Sequence, residues 1–333
     1  MTEDDLITGH GGRINAMARA FPDAPLPWID LSTGISPFTY PLPAIAQDAW
    51  ERLPTASARD ACERSMVSTF GCDPAVCRAV AGTEIVIRQL PAVLGARRVA
   101  LRTPSYIDHA LAWGAAGAEI LSVSEPLAMA SEVDAIVIVN PNNPDGYRWP
   151  LDRIEAARET LAARNGWLIV DEAYADLEPK RSMAAAAGKE GLVVLRSFGK
   201  FFGLAGIRLG AVLAPSGLLE RLDARLGDWD VSGPALSVGA AAYRDRDWQE
   251  ATRERLRDAS LSLREMLAST ELRDIGGTDL FRFAFTSDAG LLWRQLAEQG
   301  IAIRRFAGDL HHVRIGLPGT DRSLARLRAA LSL

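Results

Sequence analysis

From about residue 80 to residue 215, short apolar runs alternate with helix-like segments. The runs at 98–101, 119–123, 135–140, 167–171, 192–196 and 207–213 are β-rich and lack clear polar alternation, which predicts strands buried on both faces. Between them the apolar positions recur at helical spacing, as in 151–161 (LDRIEAARETL). The pattern predicts an α/β fold with a mostly parallel central sheet sandwiched by helices. Further on it changes. A long Arg/Glu/Leu-rich helical stretch at 248–267 precedes a strand at 279–285, a helix at 289–299, strands at 301–305 and 313–317, and a last helix from Ser323. That order predicts a smaller α+β domain. The proline-rich stretch from Pro22 to Pro43 is expected to be extended or turning. The expected division is a large domain over 35–215 and a small one over 1–34 and 216–333, which includes an N-terminal arm.

Composition narrows the function classes. A chain of 333 residues with 48% hydrophobic content can bury a large core and has room for a second, smaller domain. Its net charge of -5 supplies no basic footprint for nucleic acid or an anionic membrane, so small anionic substrates would need local arginines. Cys62, Cys72 and Cys77 are odd in number and lack C-x2-C spacing, so neither a disulfide framework nor a metal site is expected. The start, MTEDDLITGHGG, lacks the basic and apolar regions of a secretory leader, and no apolar run is long enough to cross a bilayer. The expectation is a cytoplasmic protein with reduced thiols.

Of the 37 basic residues only Lys180, Lys189 and Lys200 are lysines, so arginine serves wherever charge alone suffices. A guanidinium stays protonated, whereas a buried lysine amine can lose its proton and attack a carbonyl. Lys200 lies in Ser197-Phe198-Gly199-Lys200, followed by Phe201-Phe202-Gly203-Leu204-Ala205-Gly206-Ile207-Arg208-Leu209-Gly210. The stretch combines a candidate nucleophile with an arginine and loop glycines, and Lys200 is the expected carrier of pyridoxal phosphate.

Four further motifs fit parts of an aldehyde cofactor with a phosphate and a pyridine ring. Gly82-Thr83-Glu84 precedes a helical pattern, and a helix N-terminus is an anion site that Ser197 and Arg208 would complete; a plain cap by Thr83 is the alternative. Asn143, in Asn140-Pro141-Asn142-Asn143-Pro144-Asp145-Gly146, follows a strand and is placed to donate to a phenolic oxygen, although a simple turn explains the same residues. Asp171, in Asp171-Glu172-Ala173-Tyr174, would keep a pyridine nitrogen protonated, and Tyr174 would bond the phenolic oxygen. Glu172 is expected to be solvated or paired along a helix. Tyr106, in Thr103-Pro104-Ser105-Tyr106, would stack on the ring or simply pack in the core.

In order and spacing these motifs resemble the fold-type I pyridoxal-phosphate enzymes of the class I/II aminotransferase superfamily, over nearly the whole chain. Within it the sequence is similar to the histidinol-phosphate aminotransferases and, more so, to the threonine-phosphate decarboxylases of cobalamin biosynthesis. The finer likeness lies in His10-Gly11-Gly12-Arg13 and in Asp30-Leu31-Ser32-Thr33-Gly34-Ile35-Ser36-Pro37. It implies that His10 lies over the active site and helps bind a substrate phosphate, and that Gly34 belongs to the substrate-binding opening. It also implies that Arg314 takes the substrate carboxylate and Arg304 its phosphate; read alone, each is an ordinary surface arginine. The implied reaction is decarboxylation of L-threonine O-3-phosphate to (R)-1-aminopropan-2-yl phosphate, with aminotransfer as the alternative. The implied assembly is a homodimer. One departure stands out: relatives often carry Tyr-Pro where this chain has Leu53-Pro54, so the usual cross-subunit phosphate contact is missing, and Tyr40 is the substitute considered.

Overall fold

The computed structural model describes residues 10–332. Its strands, in chain order, are β1 (Ile29–Leu31), β2 (Cys77–Val80), β3 (Arg98–Arg102), β4 (Glu119–Val123), β5 (Ala135–Val139), β6 (Trp167–Asp171), β7 (Leu192–Ser197), β8 (Gly210–Leu213), β9 (Arg273–Thr278), β10 (Phe281–Phe285), β11 (Ile301–Arg305) and β12 (His312–Gly316). They form two sheets, one in each of the two units into which the chain divides.

The larger unit comprises Thr39–Asn143 and Tyr147–Gln249. Its sheet runs β2-β8-β7-β6-β5-β3-β4 and is parallel except for β8, which opposes both neighbours. β5 is buried along its whole length and β6 and β7 almost so, as expected for strands covered on both faces. Val137, Ile169, Val193, Leu195 and Val212 of the sheet pack with Ile87, Leu90 and Trp113 of the covering helices. Ile207 and Arg208 lie outside the strand expected from 207, because a 3-10 turn occupies Ala205–Ile207 and Arg208 takes a left-handed φ of 54°.

Residues 216–249, expected in the small domain, belong to the larger unit. The reason is packing. Helix Ser216–Leu226 buries Leu218, Leu219 and Leu222 in the sheet core. Helix Gly233–Arg244 consists mainly of small residues and packs closely; a Cβ on Gly239 would stand 2.9 Å from Cys62 Sγ.

The smaller unit contains the described residues up to Phe38, Pro144–Gly146 and the chain from Glu250. Its sheet runs β1-β11-β12-β10-β9, with β1 parallel to β11 and the other pairs antiparallel. β1 and β9 were not expected: three residues inside a proline-rich stretch carry too little periodicity, and Gly276-Gly277 dilutes the β9 pattern. The β11–β12 register sets Arg304 opposite Arg314.

Candidate active site

In the larger unit a cavity opens at the carboxyl ends of β5, β6 and β7, the edge where parallel sheets place ligands. One end gathers a helix start, a hydroxyl and a guanidinium. Helix Thr83–Leu94 starts after Gly82 (φ 78°), and no side chain caps it, so its first N–H groups point to whatever occupies the cavity. Thr83 is therefore the first helical residue and not its cap. A Cβ on Gly82 would stand 2.8 Å from Arg208 Nη2, and one on Gly210 would stand 3.1 Å from Thr83 N. Two missing side chains thus allow three segments to converge. Ser197, at the end of β7, pairs with Gly210 and joins Thr83 and Arg208 in the lining.

Glu84 lines the same wall. Its carboxylate takes Arg88 Nη2 at 2.8 Å and lies 3.9 Å from Arg208 Nη2. Its side chain thus pairs with guanidinium groups, while its place in the first turn of the helix leaves its backbone N–H on the expected phosphate side.

Asp171 lines the same cavity and is almost wholly buried. Its Oδ1 accepts from Ala173 N at 3.1 Å, and its Oδ2 lies 2.9 Å from His109 Nε2 on helix Ile107–Ala115. The imidazole is buried as well and meets the Tyr106 ring edge-on at 6.0 Å. Burial, then the charges of Asp108 and Asp171, push the Tyr106 phenol above its ordinary range, so it remains a donor. His109 was not singled out from the sequence; only its place three residues after Tyr106 hinted at a role.

Asn143 and Tyr174 complete the wall beside Asp171. The loop bearing Asn143 is fixed by its neighbour: Asn142 Nδ2 donates to Pro104 O at 3.0 Å, and its Oδ1 accepts from Ser105 Oγ at 2.7 Å. Lys200 faces the cavity from a helical turn, Phe198–Phe201, directly after β7. Phe198 stacks on Phe202 at 4.4 Å and Phe202 on Trp248 at 5.6 Å, so the flanking rings anchor the turn in the core. Gly199 permits the tight approach of Ala205, whose Cα would stand 2.7 Å from a Cβ there.

Glu172 is not solvated. It is wholly buried, where Oε1 accepts from Met183 N at 2.6 Å and Oε2 meets Ser182 Oγ and, at 3.3 Å, Arg196 Nη1. Arg196 also bonds Asp176, which closes an ionic cluster between β6 and β7. Burial pushes the Glu172 carboxyl up.

The remaining candidates lie in the smaller unit. Arg314 is buried; its Nη2 donates to Ser32 O at 2.8 Å, and its guanidinium lies 5.0 Å over the Phe281 ring. Burial, then the charges of Arg314 and Arg13, pull the Arg304 guanidinium down to about 10, which leaves it a cation at neutral pH. Exposed His10 lines a pocket with Arg13, Ser32, Trp293, Arg304 and Arg305. Gly34 is buried just beyond β1. Tyr40 is no substitute for a tyrosine at position 53: it is buried, its hydroxyl lies 3.3 Å from Asp245 Oδ2, and its ring packs edge-on against Trp248 at 5.0 Å. Leu53 itself is exposed.

Residues 79–331 match the family model described as aminotransferase class I and II. The chain belongs to that family. The match to the class I and II aminotransferase family runs from β2 into the last helix and contains each cavity residue named above together with Arg304 and Arg314; His10 and Gly34 precede it. Within the curated relatives of this family member, a threonine-phosphate decarboxylase of Pseudomonas aeruginosa is 41% identical, with 97% of this chain and 96% of that protein covered. One from a Sinorhizobium species is 37% identical over 97% of this chain and 98% of that protein. The fold is similar to that of a histidinol-phosphate aminotransferase from Sinorhizobium meliloti in complex with pyridoxal-5'-phosphate, at a TM-score of 0.81 and 18% identity, covering 98% of this chain and 95% of that one.

Proposed function

We propose that the chain is a pyridoxal-phosphate-dependent decarboxylase that converts L-threonine O-3-phosphate to (R)-1-aminopropan-2-yl phosphate, a step of cobalamin biosynthesis. The observations that carry the reading are a cavity lined by Lys200, Asp171 and Arg208 in the larger unit and, in the smaller unit, an arginine pair on adjacent strands, in a chain so similar, end to end, to threonine-phosphate decarboxylases.

The cavity's donors suit this cofactor part by part. The uncapped helix start at Thr83, with Ser197 and Arg208, would hold its phosphate. Asp171 would hold its ring nitrogen, Asn143 and Tyr174 its phenolic oxygen, Tyr106 its ring face and Lys200 its aldehyde carbon. When bound, pyridoxal phosphate supplies an electron sink for the bond at Cα that lies perpendicular to its ring. The choice of bond is left to the chain's own residues. Arg314, held by Ser32 O, orients the carboxylate; Arg304, assisted by His10, grips the phosphate; Gly34 leaves room beside them. Gripping both anionic ends selects loss of carbon dioxide over loss of the Cα proton. Lys200 Nζ then carries a proton back to Cα. We read the assembly as a homodimer, in keeping with the large apolar side chains exposed on the larger unit, Trp50, Leu53 and Trp229.

The test supplies O-phospho-L-threonine without a keto acid and measures carbon dioxide. Release that is abolished by Lys200→Ala, together with the long-wavelength absorbance of the bound cofactor, is the expected result. Amino transfer from histidinol phosphate to 2-oxoglutarate without carbon dioxide release overturns the decarboxylase reading.

A further inference from the structure

Helix Ile107–Ala115 is entered through Tyr106, which lines the cavity. Its first turn is inverted. Asp108 and His109 are almost wholly buried, whereas Ile107 and Leu111 are 52% and 56% exposed. A helix packed for stability alone would place these pairs the other way, since burying a charge costs free energy that burying an apolar side chain does not. Ala112 and Trp113 of the same helix join the sheet core, so the inversion does not reflect a helix lying outside it. Both inward polar side chains lead to cavity residues, His109 to Asp171 and Asp108 to Tyr106.

The Tyr106 hydroxyl donates to the Asp108 carboxylate. Asp108 Oδ1 also accepts, at 3.3 Å, from Nη2 of half-exposed Arg88 on helix Thr83–Leu94. The same guanidinium donates to Glu84 Oε1 from Nη2 at 2.8 Å and from Nε at 3.2 Å, and Glu84 Oε2 lies 3.9 Å from Arg208 Nη2. Arg208, Glu84, Arg88 and Asp108 thus form one run of alternating charge that ends on the Tyr106 phenol. Its first two members and the phenol line the cavity. A tyrosine ring turns about two side-chain bonds, and the hydroxyl is its far end. A bond there, with the edge-on contact of His109 at 6.0 Å, fixes the ring plane.

We propose that Asp108, paired with Arg88, is a positioning residue for the cofactor ring: it holds the Tyr106 hydroxyl and so sets the plane on which the pyridine ring stacks. The assignment rests on the pyridoxal-phosphate part of the proposed function and is the same for decarboxylation and for aminotransfer. Through Arg88 it also ties that plane to Glu84 in the first turn of the helix expected to hold the phosphate. The ring face and the phosphate end are then set by one connected network, which accounts for a carboxylate kept inside while isoleucine and leucine stay outside.

The experiment titrates the full-length apoprotein with pyridoxal phosphate, taking Kd from the absorbance and the tilt of the bound ring from its induced circular dichroism. Asp108→Leu and Tyr106→Phe should each weaken binding by about tenfold and reduce the dichroism. The double variant should lose no more than either alone, because both changes remove one contact. Asp108→Asn, which keeps an acceptor for the phenol, should recover most of the affinity and of the dichroism. Native affinity in Asp108→Leu, or losses that multiply in the double variant, overturns the proposal. Should Asp108→Leu fail to fold, Tyr106→Phe carries the test, since it removes only the hydroxyl that Asp108 holds; native affinity and dichroism there overturn the proposal as well. If the native apoprotein takes up no pyridoxal phosphate, the cofactor reading fails together with this assignment. If it binds and the variants bind equally well, only the assignment fails.

Discussion

His109 Nε2 and Asp171 Oδ2 lie 2.9 Å apart, both side chains almost wholly shielded from water. The imidazole comes from a helix before β4, the carboxylate from the end of β6, and the sheet order brings them together. With Ala173 N on the other oxygen, the carboxylate plane is set before any ligand arrives. Replacing His109 by Leu should lower kcat/KM by about 10- to 100-fold, the loss typical when the partner behind a functional group is removed. Cofactor absorbance followed against pH should show the bound ring titrating at a different pH. Unchanged absorbance would mean that the contact is structural alone.

Gly82→Ala should weaken cofactor binding by tenfold or more, because the new methyl group meets Arg208 and the backbone has a positive φ. Gly71→Ala is the control. It too has positive φ, yet nothing lies within 4 Å of the added carbon, so stability should fall slightly without loss of cofactor affinity. Equilibrium titration of the apoprotein with pyridoxal phosphate separates the two.

Glu172→Ala should destabilise the larger unit by about 3–5 kcal/mol, because it strips a partner from buried Arg196. Urea unfolding measures the loss. A solvated glutamate would cost well under 1 kcal/mol.

Asp134 gives a pH signature unrelated to catalysis. Its Oδ2 accepts from Arg97 N and Arg98 N at 2.9 Å each, and these bonds hold its carboxyl below the usual range. A depressed folded value stabilises above the unfolded value, and that contribution disappears as pH falls through the folded one. Asp134→Asn should therefore be less stable than the native protein at pH 7, with the gap closing under acid. Urea midpoints at both pH values check this.

Much of the larger unit was legible because strands buried on both faces write continuous apolar runs, and because loops after such strands carry Pro, Gly and Asn. Asp171, Ser197 and Lys200 could be placed from that grammar: each ends or follows a strong strand. Glu172 was misread for a related reason. A carboxylate beside a strand end looks solvated until its partners are known, and Ser182, Met183 and Arg196 converge on it only through folding. The short strands β1, β2 and β9 carried too few residues or too much glycine to announce themselves.

By itself the sequence determined the α/β class, the succession of buried strands and the chemical types available at their ends, since these follow from local periodicity and side-chain chemistry. It also carried the family likeness. Only the tertiary structure decided which of those side chains meet: His109 behind Asp171, Arg208 beside Gly82, Tyr40 committed to Asp245, and residues 216–249 packed in the larger unit. Such pairings depend on sheet order, helix packing and the absence of particular Cβ atoms, and none of these leaves a periodic mark on a single stretch of chain.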